Sequence, residues 1–221
     1  NHSALVMCLL YFFGIICGII YGLILGHTKF KGKPIPFVME LPNYRLPSPK
    51  SVCLLMWDKA KDFLTRAFTV IFTASIIIWF LQSFDTRLNV VADSSQSMLA
   101  AIGKIISPVF APLGFNDWRI STALITGFTA KEAVVSTMSV LVGASSNDLL
   151  PALLQGMFTP MTAVSFLVFS LLYTPCVAAV AAVKREMNSS FAAVAFVFIQ
   201  CAVAWLAAFA VYNIGNLILA I

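Results

Sequence analysis

Three short stretches carry residues whose types and spacing suggest chemistry. The stretch Leu171–Glu186, LLYTPCVAAVAAVKRE, is apolar until Pro175 and Cys176 interrupt it. Pro175 lacks an N–H and its ring displaces the carbonyl four residues earlier, so the Leu171 carbonyl is expected to lose its partner and the helix to bend. Thr174 and Cys176 flank that bend, and a thiolate beside an exposed carbonyl is a fragment of a site for a borderline or soft transition metal. The plain alternative is a buried cysteine acting as a small hydrophobe.

The second stretch, ISTALITGFTAKEAVVSTMSVLVG, places Lys131 and Glu132 in the middle of an apolar run. Each charge at the centre of a membrane helix costs about 2.5–3.5 kcal/mol, so the pair costs roughly 5–7 kcal/mol if both stay ionised. Neighbours on a helix point about 100° apart, so neither neutralises the other and each needs a partner elsewhere. In a continuous helix, Thr122, Ile125, Thr129, Glu132, Ser136, Ser139 and Gly143 form one polar stripe, either a wet path or a packing seam. Glu132 is then a candidate for cation or proton handling, or half of a structural ion pair. Lys131 lies on the line of Leu124, Gly127, Val134, Met138 and Leu141, and is expected to anchor on another span or a carbonyl, with Gly127 allowing close approach.

Other candidates carry less. Cys8, Cys17, Cys53, Cys176 and Cys201 include no CxxC pair, so neither a disulfide framework nor a zinc site is expected. Cys8, Cys17 and Cys201 read as packing residues, and His2 and His27 as solvated span ends. There is no G-x-x-x-x-G-K-[ST] phosphate loop and no nucleophile or paired-carboxylate cluster, so an enzyme is not expected and this chain brings no cofactor of its own.

The elements that must position these residues follow from composition. Hydrophobic residues make up 60% of the 221 residues and charged residues only 10%, against about 25% charged in soluble domains; mean hydropathy is +0.94. The expected fold is therefore all-α, a polytopic membrane protein embedded in lipid. Apolar runs predict six spans: about 4–26, 67–84, 99–115, 120–142, 162–183 and 191–219. The third contains Pro108 and Pro112 and reads as a kinked span or a re-entrant pair of half-helices. The opening run has no cleavage site, so it reads as a span, and the sequence as a piece of something longer.

Lys and Arg set the direction. The connection from His27 to Arg66 holds eight of the fourteen, 85–98 holds only Arg87 and 143–161 holds none, which places 27–66 in the cytoplasm and 143–161 outside. No basic stripe interleaved with aromatics is present, so nucleic acid is not an expected partner. Within 27–66, Pro34, Pro36, Pro42, Pro47 and Pro49 forbid a helix at first. Ser48 and Pro49 then make an N-cap and first helical position for an amphipathic helix carrying Val52, Leu55, Met56, Phe63 and Leu64 on one face. The chain divides into a span (1–26), this cytoplasmic loop and helix (27–66), a region with the broken third segment and the Lys-Glu span (67–142), an external loop (143–161) and a C-terminal region (162–221).

Taken together and in order, FVMELPNYRLPSPKSV, IISPVFAPLGFNDWRISTALITGFTAKEAVVSTMSVL and LLYTPCVAAVAAVKREM resemble the C-terminal membrane half of the bacterial ferrous iron transport protein B family. The resemblance covers about Phe30 to Met187. It implies a multi-pass transporter of Fe(II) in the bacterial cell (inner) membrane, with the Tyr-Thr-Pro-Cys stretch in the second of two gate repeats. By position it marks Cys176, Glu132 of Ala-Lys-Glu and Glu40 of Met-Glu-Leu-Pro. The family's N-terminal G domain, which binds GTP, and its first gate repeat lie outside this sequence. They are the expected partners, alongside lipid, small cytoplasmic accessory proteins of the iron system and a second copy in a homo-oligomer. The competing readings are a transporter of the same architecture for a nucleoside or another divalent cation, and a membrane scaffold docking a nucleotide-binding protein.

Overall fold

A computed structural model describes residues 3–28, 47–91, 93–144, 149–174 and 176–219. Every regular element among them is helical, apart from one isolated bridge between Phe84 and Val90. Glu40 and Pro175, together with Pro34, Pro36 and Pro42, lie outside the described residues. The chain divides into two units, residues 1–63 and 64–221.

The first unit holds helix α1 (Ser3–Thr28) and the start of α2 (Pro49–Ser83). At 26 residues α1 is long enough to span a bilayer, and Val6, Met7, Leu9, Tyr11 and Ile15, which point to different sides, are all exposed. A helix apolar all round is built for lipid or for other membrane helices. Its last turn is closed by Thr28, whose hydroxyl donates to the Ile24 carbonyl (2.7 Å). The Ser48 hydroxyl accepts from the Ser51 N–H (3.2 Å) and caps α2, with Pro49 at its first position. The sequence separates an amphipathic helix from a following span near residue 66. The structure instead runs one helix through to Ser83, because Lys50–Ser83 contains no Gly or Pro to stop it.

The second unit begins with the end of α2 and a short loop. Within it Asp93 accepts from the Ser95 N–H (3.0 Å) and hydroxyl (2.8 Å). Those two bonds, helped by the Lys104 charge, hold the exposed Asp93 carboxyl below its ordinary range. The Ser97 hydroxyl accepts from the Ala100 N–H (3.1 Å) to start α3 (Met98–Phe110). A 3-10 turn at Ala111–Leu113 leads to Gly114, whose φ of 90° suits glycine alone. The chain then bends by 102° into α4 (Trp118–Gly127). The third expected segment, 99–115, is thus helix and 3-10 turn as far as Leu113, and the sharp bend comes at its end, before α4, rather than at Pro108 or Pro112 within it. Helix α3 packs against α4, and Leu99, Ile120 and Ala123 on these two helices are buried.

The fourth expected segment, 120–142, requires correction. It is two helices, α4 and α5 (Ala133–Val142), separated by residues 128–132. The Thr126 and Thr137 hydroxyls are hydrogen-bonded at 2.9 Å, whereas a straight helix would set eleven residues about 16 Å apart. The chain therefore doubles back at Lys131 and Glu132. The polar stripe read along this segment does not exist as one helix face.

After the short α6 (Leu150–Gln155), α7 (Pro160–Leu172) starts at Thr159, whose hydroxyl accepts from the Thr162 N–H (3.3 Å). It ends before the Thr174–Cys176 stretch, and α8 (Val177–Met187) continues at 40° to it. Helix α9 (Ser190–Leu219) then packs along α7, with Ala204 and Ala208 buried and the Ser165 hydroxyl donating to the Ala208 carbonyl (3.2 Å). Small residues permit such close approach between membrane helices. Phe110, Phe115, Phe166 and Phe169 fill the adjoining core with ring centroids 5.2–5.8 Å apart. Among the described residues, α1 and α9 are long and apolar enough to cross a membrane singly, and the bent pairs α3–α4 and α7–α8 raise the number to four if each pair is one span.

The α3–α4 contact depends on Gly103, where a Cβ would collide with the Thr122 side chain and lie 2.9 Å from the Trp118 carbonyl. Gly103→Ala is expected to destabilise the protein by about 1–3 kcal/mol, an overpacking cost. Thermal unfolding in detergent measures it, and an unchanged midpoint would contradict that contact.

Candidate functional site

Helix α7 ends with Phe169 O still accepting the ordinary bond from four residues on, the Tyr173 N–H, at 2.8 Å, and the carbonyls after it lack intrahelical partners. Ser170 O and Leu171 O accept from the Lys131 ammonium, each at 3.1 Å, and Tyr173 O accepts from it at 3.3 Å. Leu172 O faces Gln200 Nε2 of α9 at 3.5 Å. The three donors of an ammonium thus meet three acceptors, and the cation sits at the negative end of the α7 dipole.

The Leu171 carbonyl, expected to be free for a metal, is therefore already engaged by a cation of the protein's own. Lys131 also lies 4.8 Å from the centre of the Tyr173 ring. Gly127 makes the approach possible, since a Cβ there would collide with the Tyr173 hydroxyl and with Val134. On the far side of the break, the Val177 N–H donates to the Phe128 carbonyl (2.9 Å). The α4–α5 turn consequently holds the Tyr173–Cys176 stretch at both ends.

Thr174 is fully buried and faces α9. Its hydroxyl lies 3.2 Å from the Val197 carbonyl and 3.1 Å from Cys201 Sγ. Cys201, read from sequence as a packing residue, therefore borders the break, and nothing in its spacing marks it. Cys176 is half-buried at the N-cap of α8 without a side-chain cap, within electrostatic reach of Lys131. Around the break, Ser170 Oγ, Tyr173 Oη and Gln200 Oε1 are buried and make no hydrogen bond among the described residues. Such groups are rare enough to mark a place.

Other expected site residues are exposed, bonded within their own turns or outside the described residues. Glu132 is exposed at the N-cap of α5 with no side-chain cap, and forms no ion pair among the described residues. The hydroxyls of Thr129 and Ser136 donate to the carbonyls of Thr126 (2.6 Å) and Ala133 (3.1 Å) within their own turns. Ser139 is half-buried in the last turn of α5, where its carbonyl closes the helix by accepting from the Ala144 N–H (2.9 Å). Glu40 and Pro175 lie outside the described residues. Among those residues no three His, Cys, Asp or Glu side chains gather to hold a metal.

Two family models match in succession. Residues 7–59 match the C terminus of ferrous iron transport protein B, and residues 64–190 match the Gate model, described as nucleoside recognition. The chain belongs to the ferrous iron transport protein B family. Among family relatives, it is 36% identical over 218 residues to the Fe(2+) transporter FeoB of Staphylococcus aureus (strain MSSA476), covering 98% of this chain and 32% of that protein. It is 31% identical over 225 residues to the Fe(2+) transporter FeoB of Methanocaldococcus jannaschii, covering 99% and 33%. It is 33% identical over 264 residues to a Fe(2+) transport protein A/Fe(2+) transporter FeoB fusion protein of Porphyromonas gingivalis, covering 98% and 31%. The chain thus spans about a third of the length of the curated family members it matches. No solved structure matches it.

The Thr174 contact is testable by an isosteric change. Thr174→Val keeps the volume and removes the donor to α9, an expected loss of about 1 kcal/mol. Thr174→Ser should restore most of it in the same detergent melting experiment.

Proposed function

We propose that this chain is the C-terminal part of a multi-pass Fe(II) transporter of the bacterial cell membrane, and that Fe(II) passes at the Tyr173–Cys176 break. The family relatives named as Fe(2+) transporters support the cargo. The observation that carries the place is that the buried oxygens of Ser170, Tyr173 and Gln200 lack partners among the described residues where α7 ends and α9 faces it, with the half-buried Cys176 next along the chain after the break. Oxygens without partners in an apolar interior are costly unless a visiting polar group or ion satisfies them, and a thiolate favours a transition-metal ion over the commoner hard cations. Broken membrane helices are where secondary transporters expose such groups.

In this reading Cys176 supplies sulfur to the passing ion. Glu132, exposed at the start of α5, supplies a carboxylate from the opposite side of the α4–α5 turn. Thr174 shapes the path by its bond to α9 rather than as a ligand, and the Leu171 carbonyl serves Lys131. The remaining two thirds of the full-length protein would supply the first gate repeat and the G domain that binds GTP, with accessory proteins acting on the cytoplasmic side. The Gate model's description as nucleoside recognition favours one competing cargo.

In cells lacking other ferrous uptake, full-length protein carrying Cys176→Ser and Glu132→Gln is expected to accumulate normally in the membrane while labelled Fe(II) uptake falls to the level of cells without it. Undiminished uptake would remove both residues from the path. Competition of wild-type uptake by a nucleoside would reassign the cargo.

A further inference from the structure

We propose that the C-terminal end of α7 is a monovalent-cation site whose occupant in this conformation is the Lys131 ammonium, so that a potassium or ammonium ion takes the seat when that side chain is absent or withdrawn. This goes beyond the Fe(II) path, which uses the thiol on the other side of the break.

The geometry is that of an ion seat rather than of an ion pair. Three backbone carbonyls, Ser170, Leu171 and Tyr173, converge on one nitrogen at 3.1–3.3 Å, and the Tyr173 ring closes one side at 4.8 Å. No carboxylate pairs with Lys131 among the described residues. Cys176 lies within electrostatic reach, but every group in direct contact with the positive charge is a dipole or a π face: the carbonyls at the end of a thirteen-residue helix and the negative face of an aromatic ring.

Donor chemistry selects the class of ion. Neutral carbonyl oxygens are the donors of potassium-selective sites, where they replace a weakly held hydration shell. Divalent hard cations draw on carboxylates or keep their water, and Fe(II) gains more from the nearby thiolate. An ammonium group is itself a monovalent cation that bonds through N–H to the same oxygens, so a tethered amine and a free ion are alternatives for one seat. The tether starts in the 128–132 turn, the segment that interrupts α4 and α5. Movement of that turn would withdraw the amine and leave three converging carbonyls without a positive partner, a place that a small cation can take.

The test uses the full-length protein with Lys131→Ala, purified in detergent and melted in N-methyl-D-glucamine chloride, potassium chloride and ammonium chloride at equal ionic strength. Relative to wild type, the variant is expected to melt several degrees lower in N-methyl-D-glucamine. At least half of that loss should return, saturably, in potassium or ammonium, while wild type responds equally to all three salts because its seat is filled. A variant midpoint that tracks ionic strength alone overturns the proposal. Lys131→Met, which keeps the stem against the Tyr173 ring, carries the same comparison if the alanine protein accumulates poorly. No iron is present in the experiment, so its outcome is separate from that of the uptake assay.

Discussion

The Lys131 ammonium on the last carbonyls of α7 is the contact on which this architecture rests. A helix that ends inside a membrane exposes four acceptors, and no water is available there to satisfy them. A lysine placed in an apolar run has the converse problem, three donors and a charge with no solvent. Each is unfavourable alone, and together they cancel. That cancellation explains why the chain tolerates two interrupted helices, α4–α5 and α7–α8, facing each other.

Once the two breaks are joined, the surrounding sequence becomes intelligible as packing for that junction. Gly127 clears room for Tyr173, and the Tyr173 ring lies stacked at 5.4 Å on Phe169 while its backbone serves Lys131. Gly103 brings α3 onto the buried face of α4, so the helix that carries the turn is itself held in place. On the opposite side α9 supplies alanines for close approach and the side chain of Gln200 for the Leu172 carbonyl, which Lys131 does not reach. The functional groups are therefore mounted on irregular backbone, with regular helices serving as its frame.

Much of this was legible in the residues and part was not. The all-α membrane character followed from composition, the start of α2 from Ser48 and Pro49, and the interruption after α7 from the Tyr-Thr-Pro-Cys stretch. The reversal at 128–132 was not legible, because no proline or helix-stopping glycine pair marks it. Lys131 finds its partners about forty residues away, and local propensity carries no information about a carbonyl on another helix. For the same reason the polar stripe misled: its period of 3.6 held in sequence, but the helix did not. Cys201 was invisible in another way, since its neighbour Thr174 reaches it only through the packing of α7 on α9.

The bond from Val177 N–H to Phe128 O and the lysine contacts at 170, 171 and 173 lie on opposite sides of one bend. Two attachments to the same short turn remove a degree of freedom: the helix after the bend cannot swing on its own while both remain made. The angle between α7 and α8 is thereby coupled to the position of residues 128–132. A displacement of that turn becomes a rotation of α8 and, with it, a change in the direction in which the Cys176 thiol is presented.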